Sequence, residues 1–278
     1  MAWAEVHEDV AAEKRRIDLL LVEKGYFTSR EKARAAIMAG DVLVNGTKVN
    51  KPGHNVDIAD TEITIREKMP YVSRGGFKLA RALQVFSINL RGKVVLDIGA
   101  STGGFTDCAL QNGAAAVYAV DVGYGQMAWS LRNDPRVKVL ERTNVRYMEK
   151  DVFTSGIPDF VTIDVSFISL TLVLPRVSYL LDEFEGVALV KPQFEAGREH
   201  VGKKGVVKDA GVHRSVLQKV STAAIDNGIA VLGLDYSPVK GPEGNIEYLL
   251  YFQKPAGSVQ GLPELVDQVV REAHRNLG

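Results

Sequence analysis

The sequence predicts an α/β protein with a doubly wound, mainly parallel, seven-stranded sheet and a small N-terminal α+β domain. Seven segments rich in strand-forming residues follow residue 92, and helical or loop segments separate them until the last two. Those two are joined by KGPEGN, a hairpin-type connection, so the final strand is expected to run antiparallel. A glycine-rich turn follows the first strand, at a position where open sheets of this kind bind ligands.

The seven candidate strands account for much of the chain after residue 92. They are KVVLDIG (93–99), AVYAVDVG (116–123), VKVLE (137–141), FVTIDVSF (160–167), GVALVK (186–191), AVLGLDYSPV (230–239) and NIEYLLYFQK (245–254). The fifth is an apolar run that ends at Lys191, with Pro192 fixing the direction in which the chain leaves. An ammonium group at the tip of a core strand calls for a functional explanation.

The composition excludes several classes of protein. With 46% hydrophobic and 24% charged residues, the 278-residue chain is typical of a soluble protein with one large and one small domain. The net charge is zero, so any surface for nucleic acid must be local. The only cysteine, Cys108, allows neither a disulfide framework nor a thiolate metal site, and we expect it to be a small packing residue.

Signals for membranes, export and metals are not found in the sequence. No run reaches the roughly 18 apolar residues of a membrane span, and the N-terminus has acids where a signal peptide has bases. His200 and His213 are too far apart to form a metal pair on one helical face. We therefore expect a cytoplasmic protein without a membrane anchor or a metal.

The first sixty-odd residues predict two helices and a hairpin. RIDLLLVEKG (16–25) has helical apolar spacing and ends at a C-cap glycine. TSREKARAAIMAG (28–40) begins with a capping box, with Thr28 as N-cap and Glu31 at the third helical position, and ends at Gly40. Asn45-Gly46 then joins two short alternating runs, a strong hairpin signal.

This module is locally basic. The segment from Lys24 to Lys51 contains two acidic residues, Glu31 and Asp41. It contains six basic residues: Lys24, Arg30, Lys32, Arg34, Lys48 and Lys51. Such a surface either tracks phosphates or is an ordinary solvated helix face. The stretch from RIDLLLVEKG to KPGHNV resembles the S4 RNA-binding domain along its whole length, which implies structured RNA recognised mostly by shape and backbone. We predict RNA contacts at Arg16, Arg30, Arg34 and Lys48.

The glycine-rich turn DIGASTGGFTD (97–107) predicts an adenosyl ligand without phosphates. Ser101 stands where a G-x-G-x-x-G fingerprint has its second glycine, and no phosphate-binding P-loop is present. Asp121 closes the second strand, where a carboxylate accepts hydrogen bonds from both ribose hydroxyls. We predict S-adenosyl-L-methionine, with a nicotinamide cofactor as the alternative. The candidate cofactor residues are Asp97, Gly99, Ser101, Gly103, Phe105, Asp121 and Asn144.

Two of these residues have a second interpretation. Phe105 either packs in the core or flanks the cofactor. Asn144, just after the third strand, either reaches the adenine or is an ordinary loop asparagine.

Four charged residues are expected to converge at the carboxyl edge of the sheet. Asp164 and Lys191 end the fourth and fifth strands, and Glu247 begins the antiparallel last strand, so its start lies at the same edge. Lys78 lies on a helix that leads into the first strand. Each has an ordinary explanation, such as a surface lysine or a Glu247–Lys240 pair, but four convergent charges are much harder to obtain by chance.

Five motifs resemble the TlyA family of ribosomal RNA 2'-O-methyltransferases. They are PYVSRGGFKL, DIGASTGGFTD, TIDVSFISL, LVKPQFEAG and GPEGNIEY, and the resemblance covers about residues 14 to 255. It implies an S4 domain joined to a Rossmann-like, FtsJ/RrmJ-type class I methyltransferase domain, and a catalytic Lys-Asp-Lys-Glu tetrad at Lys78, Asp164, Lys191 and Glu247. It also implies a cytidine 2'-hydroxyl in ribosomal RNA as the acceptor. The nucleotide, the ribosomal subunit and the oligomeric state stay open.

The resemblance divides the chain into five parts. They are an N-terminal extension (1–13), the S4-like domain (14–66), a linker (67–75), the FtsJ-like domain (76–255) and a C-terminal helix (256–278).

The expected chemistry answers why a lysine ends the fifth strand. A ribose 2'-hydroxyl is a very weak acid and must lose its proton as it attacks the methyl group. A lysine accepts such a proton when burial and a neighbouring cation disfavour its charged form. Lys191 is then the base, Lys78 the second cation, and Asp164 and Glu247 orient the lysines and the hydroxyl.

A basic loop follows this residue, GREHVGKKGVVKDAGVHR (197–214). Arg198, Lys203 and Lys204 either clamp RNA over the pocket or form a plain surface loop, and the glycines suit a lid.

Three other functions compete with this one. Members of the family are often labelled haemolysins, but no span, signal or long basic amphipathic helix supports membrane activity. A non-catalytic ribosome-binding protein has no reason to keep four convergent charges. A pseudouridine synthase, which also often carries an S4 domain, needs no adenosyl pocket.

Overall fold

The computed structural model describes residues 13–66, 69–255 and 261–278. The chain divides into two compact units, Met1–Met69 and Pro70–Gly278. Most of the expected extension, two residues of the expected linker and residues 256–260 lie outside the described residues. The later part of the linker belongs to the second unit, since the Asp107 carboxylate accepts a hydrogen bond from the Val72 N–H at 2.8 Å.

The N-terminal unit contains two helices and five short strands. In chain order they are β1 (Lys14–Arg16), α1 (Ile17–Glu23), α2 (Arg30–Ala39), β2 (Val42–Val44), β3 (Thr47–Lys48), β4 (Asn55–Asp57) and β5 (Ile63–Ile65). Strands β1 and β4 form an antiparallel pair, and the other three form a sheet in the order β3-β2-β5. Ala33 and Ile37 of α2, which are four residues apart and so share one helix face, are buried in the core.

The hairpin prediction is confirmed, whereas the predicted cap of α2 is wrong by one residue. Asn45 and Gly46 both have positive φ, the conformation of a two-residue hairpin turn. The N-cap is Ser29 rather than Thr28, because Ser29 has the extended backbone and its Oγ accepts the Lys32 N–H at 3.3 Å. The Thr28 hydroxyl instead accepts a hydrogen bond from the Lys32 ammonium.

The second unit is the expected α/β domain. Its elements are α3 (Gly75–Val85), β6 (Val94–Ile98), α4 (Gly104–Gln111), β7 (Ala116–Val120), α5 (Trp129–Arg132), β8 (Val137–Leu140), β9 (Phe160–Ile163), α6 (Leu170–Leu180), β10 (Phe184–Val190), α7 (Pro192–Glu195), α8 (Ala210–Asp226), β11 (Ala230–Tyr236), β12 (Tyr248–Lys254) and α9 (Leu262–Leu277). The seven strands pair in the order β11-β12-β10-β9-β6-β7-β8, and β12 runs antiparallel to both neighbours. The doubly wound, mainly parallel sheet of seven strands is thereby confirmed.

The sheet has a hydrophobic core on each face because alternate strand residues point to opposite sides. In β6, Val95 packs with α3, α4 and α5, and its neighbour Leu96 packs with α6, α8 and α9. Cys108 lies buried in the first of these cores, where it packs as expected. Within the described ranges, no helix is long and apolar enough to cross a membrane.

The strands end earlier than the sequence patterns suggest. Strand β9 stops at Ile163 and β12 begins at Tyr248, so Asp164 and Glu247 lie just outside the ladder. Lys191 likewise follows β10 directly. These polar residues therefore stand at the carboxyl edge of the sheet, on turns rather than within the paired strands.

Candidate active site

The turns that follow β6, β7, β8 and β9 enclose a cavity of about 710 Å³, here called the larger cavity. This volume lies within the range of roughly 300–1,000 Å³ that is usual for small-molecule sites. Four of the predicted cofactor residues line it: Gly99, Ser101, Asp121 and Asn144.

The glycine turn brings backbone close to this cavity. Gly99 has φ +85°, and a Cβ there would collide with the carbonyl oxygen of Asp164. Gly103 has φ +94° and precedes α4, where a Cβ would collide with Leu131. Only glycine fits both conditions, so the turn between β6 and α4 is fixed by backbone geometry.

Asp121 is held in place by the turns on either side of it. Its Oδ2 accepts the Ser101 N–H and its Oδ1 accepts the Gly123 N–H, each at 2.7 Å. Each carboxylate oxygen can accept a further hydrogen bond, so Asp121 can still receive two hydroxyls. Asn144 Oδ1 accepts the Arg146 N–H at 3.1 Å and caps a short 3₁₀ turn, so this side chain has a structural contact while it lines the larger cavity.

Three other predicted cofactor residues lie outside the lining of the larger cavity. Asp97 is fully buried beneath the turn, where it accepts the Thr106 hydroxyl at 2.6 Å and the Thr162 hydroxyl at 2.8 Å. Burial raises the pKa of Asp97 to about 6, against the lowering effect of the two hydroxyls. Its contacts tie the turn to α4 and β9. Phe105 packs in the core below and Gly103 shapes the backbone.

The four predicted catalytic residues come together as two ion pairs. Lys78 Nζ lies 2.5 Å from Glu247 Oε2, and Lys191 Nζ lies 2.7 Å from Asp164 Oδ1. The second contact departs from hydrogen-bond angles, so it is an ion pair, and Lys191 Nζ donates instead to Ser166 Oγ at 3.0 Å. Residues spread over 169 positions thus meet at one edge of the sheet.

The two ion pairs interact electrostatically. Burial raises the pKa of Glu247, Lys78 and Lys191 oppose the rise, and Asp164 adds to it. The alternative pairing of Glu247 with Lys240 is not observed, because Glu247 pairs with Lys78.

A smaller cavity of about 220 Å³ adjoins the larger one and shares Gly99, Ser101 and Asp164 with it. Arg74, Lys78 and Lys240 also line the smaller cavity. Neither Arg74 nor Lys240 forms an ion pair with any residue that the structure describes. The lining of the smaller cavity therefore combines three cationic side chains with the carboxylate of Asp164.

Phe167 is a residue at this site that the sequence analysis missed. Its side chain is 90% exposed, lines the larger cavity and lies 5.0 Å from the Phe194 ring, between centroids. Its φ is +64°, which is rare for an aromatic residue and marks a constrained turn. The sequence does not predict its position, because the apolar run FVTIDVSF is typical of a strand that continues through Phe167.

In the N-terminal unit, two of the four predicted RNA contacts, Arg16 and Arg30, are paired with the same buried acid. Arg16 and Arg30 both bond to Asp18, whose carboxylate is fully buried, at 3.0 Å. The hydrogen bond from Arg16 is the main reason why the pKa of Asp18 lies below its usual value, and Arg30 also lowers it. Burial raises the pKa but does not outweigh the two arginines. Arg34 and Lys48 are exposed. The sequence does not predict this role of Asp18, because an acid in the first turn of a helix is common and is usually exposed.

The basic loop after Lys191 is anchored in the second unit. Arg198, Lys203 and Lys204 are exposed, but the buried Asn245 accepts the Val207 N–H at 3.0 Å and donates to the Gly205 carbonyl at 2.8 Å. These bonds favour a fixed loop over the lid that its glycines suggest. No cluster of histidine, cysteine and carboxylate side chains suited to a metal occurs in the described parts of the chain.

Comparison with known proteins gives consistent results. Residues 71–254 match the FtsJ-like methyltransferase family and residues 15–62 match the S4 domain. A Bacillus subtilis protein, "Putative rRNA methyltransferase YqxC", is 52% identical over 96% of this chain and 97% of its own. The Mycobacterium tuberculosis 16S/23S rRNA (cytidine-2'-O)-methyltransferase TlyA is 43% identical over 94% of this chain and 99% of its own.

A solved structure is similar over nearly the whole chain. It is the "Putative hemolysin from Streptococcus thermophilus", 48% identical, with a TM-score of 0.72 over 95% of this chain and 97% of its own.

The fold, the glycine turn and the sheet-edge site define an FtsJ-like methyltransferase that carries an S4 domain. This chain belongs to the TlyA family.

Proposed function

We propose that this protein transfers a methyl group from S-adenosyl-L-methionine to a ribose 2'-hydroxyl of ribosomal RNA, with cytidine as the nucleotide and Lys191 as the base. The observation that carries the proposal is the meeting of two ion pairs at two adjoining cavities, where Asp164 lines both cavities and Lys78 lines the smaller one. The names of the relatives support the reaction and the RNA substrate.

The residues of the larger cavity fit an adenosyl cofactor. Asp121 has free acceptor capacity for two ribose hydroxyls, and the backbone at Gly99 and Ser101 lets the ligand approach closely. Asn144 borders the same cavity. When bound, S-adenosyl-L-methionine supplies an electrophilic methyl group on sulfur.

The tetrad of Lys78, Asp164, Lys191 and Glu247 handles the proton. Once Lys191 has released its own proton to solvent, its neutral amine accepts the proton of the 2'-hydroxyl, and Asp164, 2.7 Å away, stabilises the ammonium that results. Lys78, paired with Glu247, stabilises negative charge as it develops on the attacking oxygen. Holding both reactants at fixed positions supplies much of the remaining acceleration.

The smaller cavity receives the acceptor ribose. It borders Lys78 and Asp164, and it meets the larger cavity at Gly99 and Ser101, where donor and acceptor must meet. Arg74 and Lys240 at its edge are suited to the phosphates that flank the ribose. Phe167 offers an exposed ring on which an unstacked base can lie.

RNA is brought to the site by the N-terminal unit and the basic loop. Arg16, Arg30, Arg34 and Lys48 contact the RNA backbone in the S4 domain, and Arg198, Lys203 and Lys204 do so beside the catalytic site. Curated proteins with S4-domain similarity include the small ribosomal subunit protein uS4 of Acidobacterium capsulatum, 41% identical over 29% of this chain. That likeness supports a ribosomal substrate.

The test is transfer of labelled methyl from S-adenosyl-L-methionine to large and small ribosomal subunits from cells that lack this protein. We expect label in ribosomal RNA, in a dinucleotide that resists alkaline hydrolysis because a methylated 2'-oxygen cannot attack its phosphate. Label on a base, or no label on either subunit while cofactor binding is intact, contradicts the proposal. Leakage of dye from vesicles without methyl transfer would favour the haemolysin alternative.

A further inference from the structure

Glu195 is a buried carboxylate four residues after the proposed base, and the mechanism above gives it no role. Its side chain is only 5% exposed although it stands on the turn that follows β10. Buried carboxylates are unfavourable unless they are hydrogen-bonded, so the contacts of Glu195 indicate what it holds.

Those contacts reach the turn that follows the neighbouring strand, β9. Glu195 Oε1 accepts the Leu170 N–H at 2.7 Å, and Oε2 accepts the Ser169 hydroxyl at 2.5 Å. Leu170 is the first residue of α6, and the first amides of a helix have no partner within the helix. Glu195 therefore caps α6 across 25 positions of the chain.

The same two turns carry the proposed catalytic residues. Residues 164–170, after β9, contain Asp164 and Phe167, and residues 191–195, after β10, contain Lys191. The two turns contact each other at Lys191 with Asp164, at Lys191 with Ser166 and at Phe194 with Phe167. The hydrogen bonds of Glu195 to Ser169 and Leu170 add a further contact between the two turns, at the start of α6.

A short rigid segment links Lys191 to Glu195. Helix α7 is a single turn, in which the Phe194 N–H donates to the Lys191 carbonyl and the Ala196 N–H donates to the Pro192 carbonyl, each at 2.9 Å. Pro192 also fixes φ at the start of the turn. A displacement of Glu195 is thereby passed on to Lys191 at the other end.

Helix α8 holds Glu195 from the opposite side. Lys219 Nζ donates to the Glu195 backbone carbonyl at 2.8 Å and lies 3.9 Å from Oε2. Burial raises the pKa of Glu195, and the Ser169 hydroxyl, the Leu170 amide and Lys219 oppose that rise. The carboxylate thus sits between α6, α7 and α8 with each oxygen used.

We propose that Glu195 is a positioning residue, which sets the distance between Lys191 and Asp164 by joining the turns that carry them. This inference rests on the proposed function and deepens it. A shift of about 1 Å at a reacting group can lower a rate about 100-fold, so the joint is expected to matter for turnover.

The test compares Glu195→Ala with Glu195→Gln. The glutamine carbonyl still accepts the Leu170 N–H and its amide can donate to Ser169 Oγ, whereas alanine removes both bonds. We expect Glu195→Ala to lower turnover at saturating RNA and cofactor by about 10- to 100-fold. Cofactor affinity should change about threefold or less, because the contacts at Gly99, Ser101 and Asp121 lie on the turns that follow β6 and β7. Glu195→Gln should restore turnover to within about threefold of wild type.

The control is Glu183→Ala, which removes an exposed glutamate just before β10 at the opposite end of the strand. If folded Glu195→Ala had the turnover of wild type and only a lower melting temperature, Glu195 would act solely as a helix cap. That result would overturn the inference. So would a glutamine variant as slow as the alanine variant. Absence of methyl transfer by the wild type itself would instead count against the proposed function.

Discussion

Lys78 and Glu247, 169 positions apart, form a buried ion pair with 2.5 Å between Nζ and Oε2. Lys78 lies on the helix before the first strand of the sheet, and Glu247 directly precedes the last strand. The pair can form only because β12 runs antiparallel, which puts its beginning at the carboxyl edge of the parallel strands. The direction of one strand therefore completes the tetrad.

The carboxylate of Asp121 is expected to bind the ribose of the cofactor. Asp121→Ala should weaken S-adenosyl-L-methionine binding by about 10- to 100-fold, because hydrogen bonds to a charged group contribute about 1.5–3 kcal/mol. Isothermal titration calorimetry measures the change. Asp134→Ala is the control, since Asp134 precedes β8 at the other end of the sheet and pairs with Arg136. Equal affinity for the Asp121 variant and wild type would rule out this role.

The S4 arginines are expected to bind RNA through its phosphates. Arg34→Ala should lower affinity for ribosomal RNA and reduce the slope of log K against log salt by about 1, because one fewer counterion is released. Titrations at several salt concentrations give the slope. Arg271→Ala, on the exposed side of α9, should leave it unchanged. A slope that Arg34→Ala does not alter would remove this residue from the interface.

His213 is expected to make folding stability depend on pH. It is fully buried, its Nδ1 lies 2.7 Å from the Tyr248 hydroxyl and 3.0 Å from His274 Nε2, and its Nε2 faces the Val207 carbonyl. Burial lowers the pKa of His213 to about 4. Below about pH 6.5, His213 therefore binds a proton in the unfolded chain, whereas in the folded protein it stays neutral until the pH approaches 4. The contribution of His213 to stability is complete above pH 6.5 and is lost as the pH falls toward 4.

The contribution of His213 to the free energy of unfolding is expected to fall by about 2 kcal/mol between pH 7 and pH 5. His213→Gln keeps a donor and an acceptor but does not titrate, so urea titrations of wild type and variant should differ by this amount over that pH range. His200→Gln, at an exposed histidine of the same unit, should leave it intact. A pH dependence identical in wild type and His213→Gln would mean that His213 is not the titrating group.

Strand–helix alternation predicts the mainly parallel sheet, and the hairpin-type connection KGPEGN predicts its antiparallel last strand. Together they predict that Asp164, Lys191 and Glu247 converge at one edge. The reason is that parallel strands present their carboxyl ends at one edge whatever their order. Gly99, Ser101, Asp121 and Asn144 were predicted on the same basis, and all four line the larger cavity.

Side-chain contacts between turns were not predictable. Asp97 looked like a ligand residue but is enclosed by Thr106 and Thr162, because a residue inside a strand faces the core and not the edge. Phe167 and Glu195 lie within apolar or mixed segments whose turns depend on contacts 25 or more residues away. No local pattern contains that information.

The most direct test of the account is methyl transfer to ribosomal subunits by Lys191→Ala and Asp164→Ala. The control is Lys93→Ala, which breaks a partly exposed lysine–aspartate pair with Asp159 at the opposite edge of the sheet. We predict that the Lys191 and Asp164 variants lose about 100- to 10,000-fold in turnover, with cofactor affinity within a few-fold of wild type and the Lys93 variant fully active. Full turnover by a folded Lys191→Ala enzyme would contradict the assignment of Lys191 as the base.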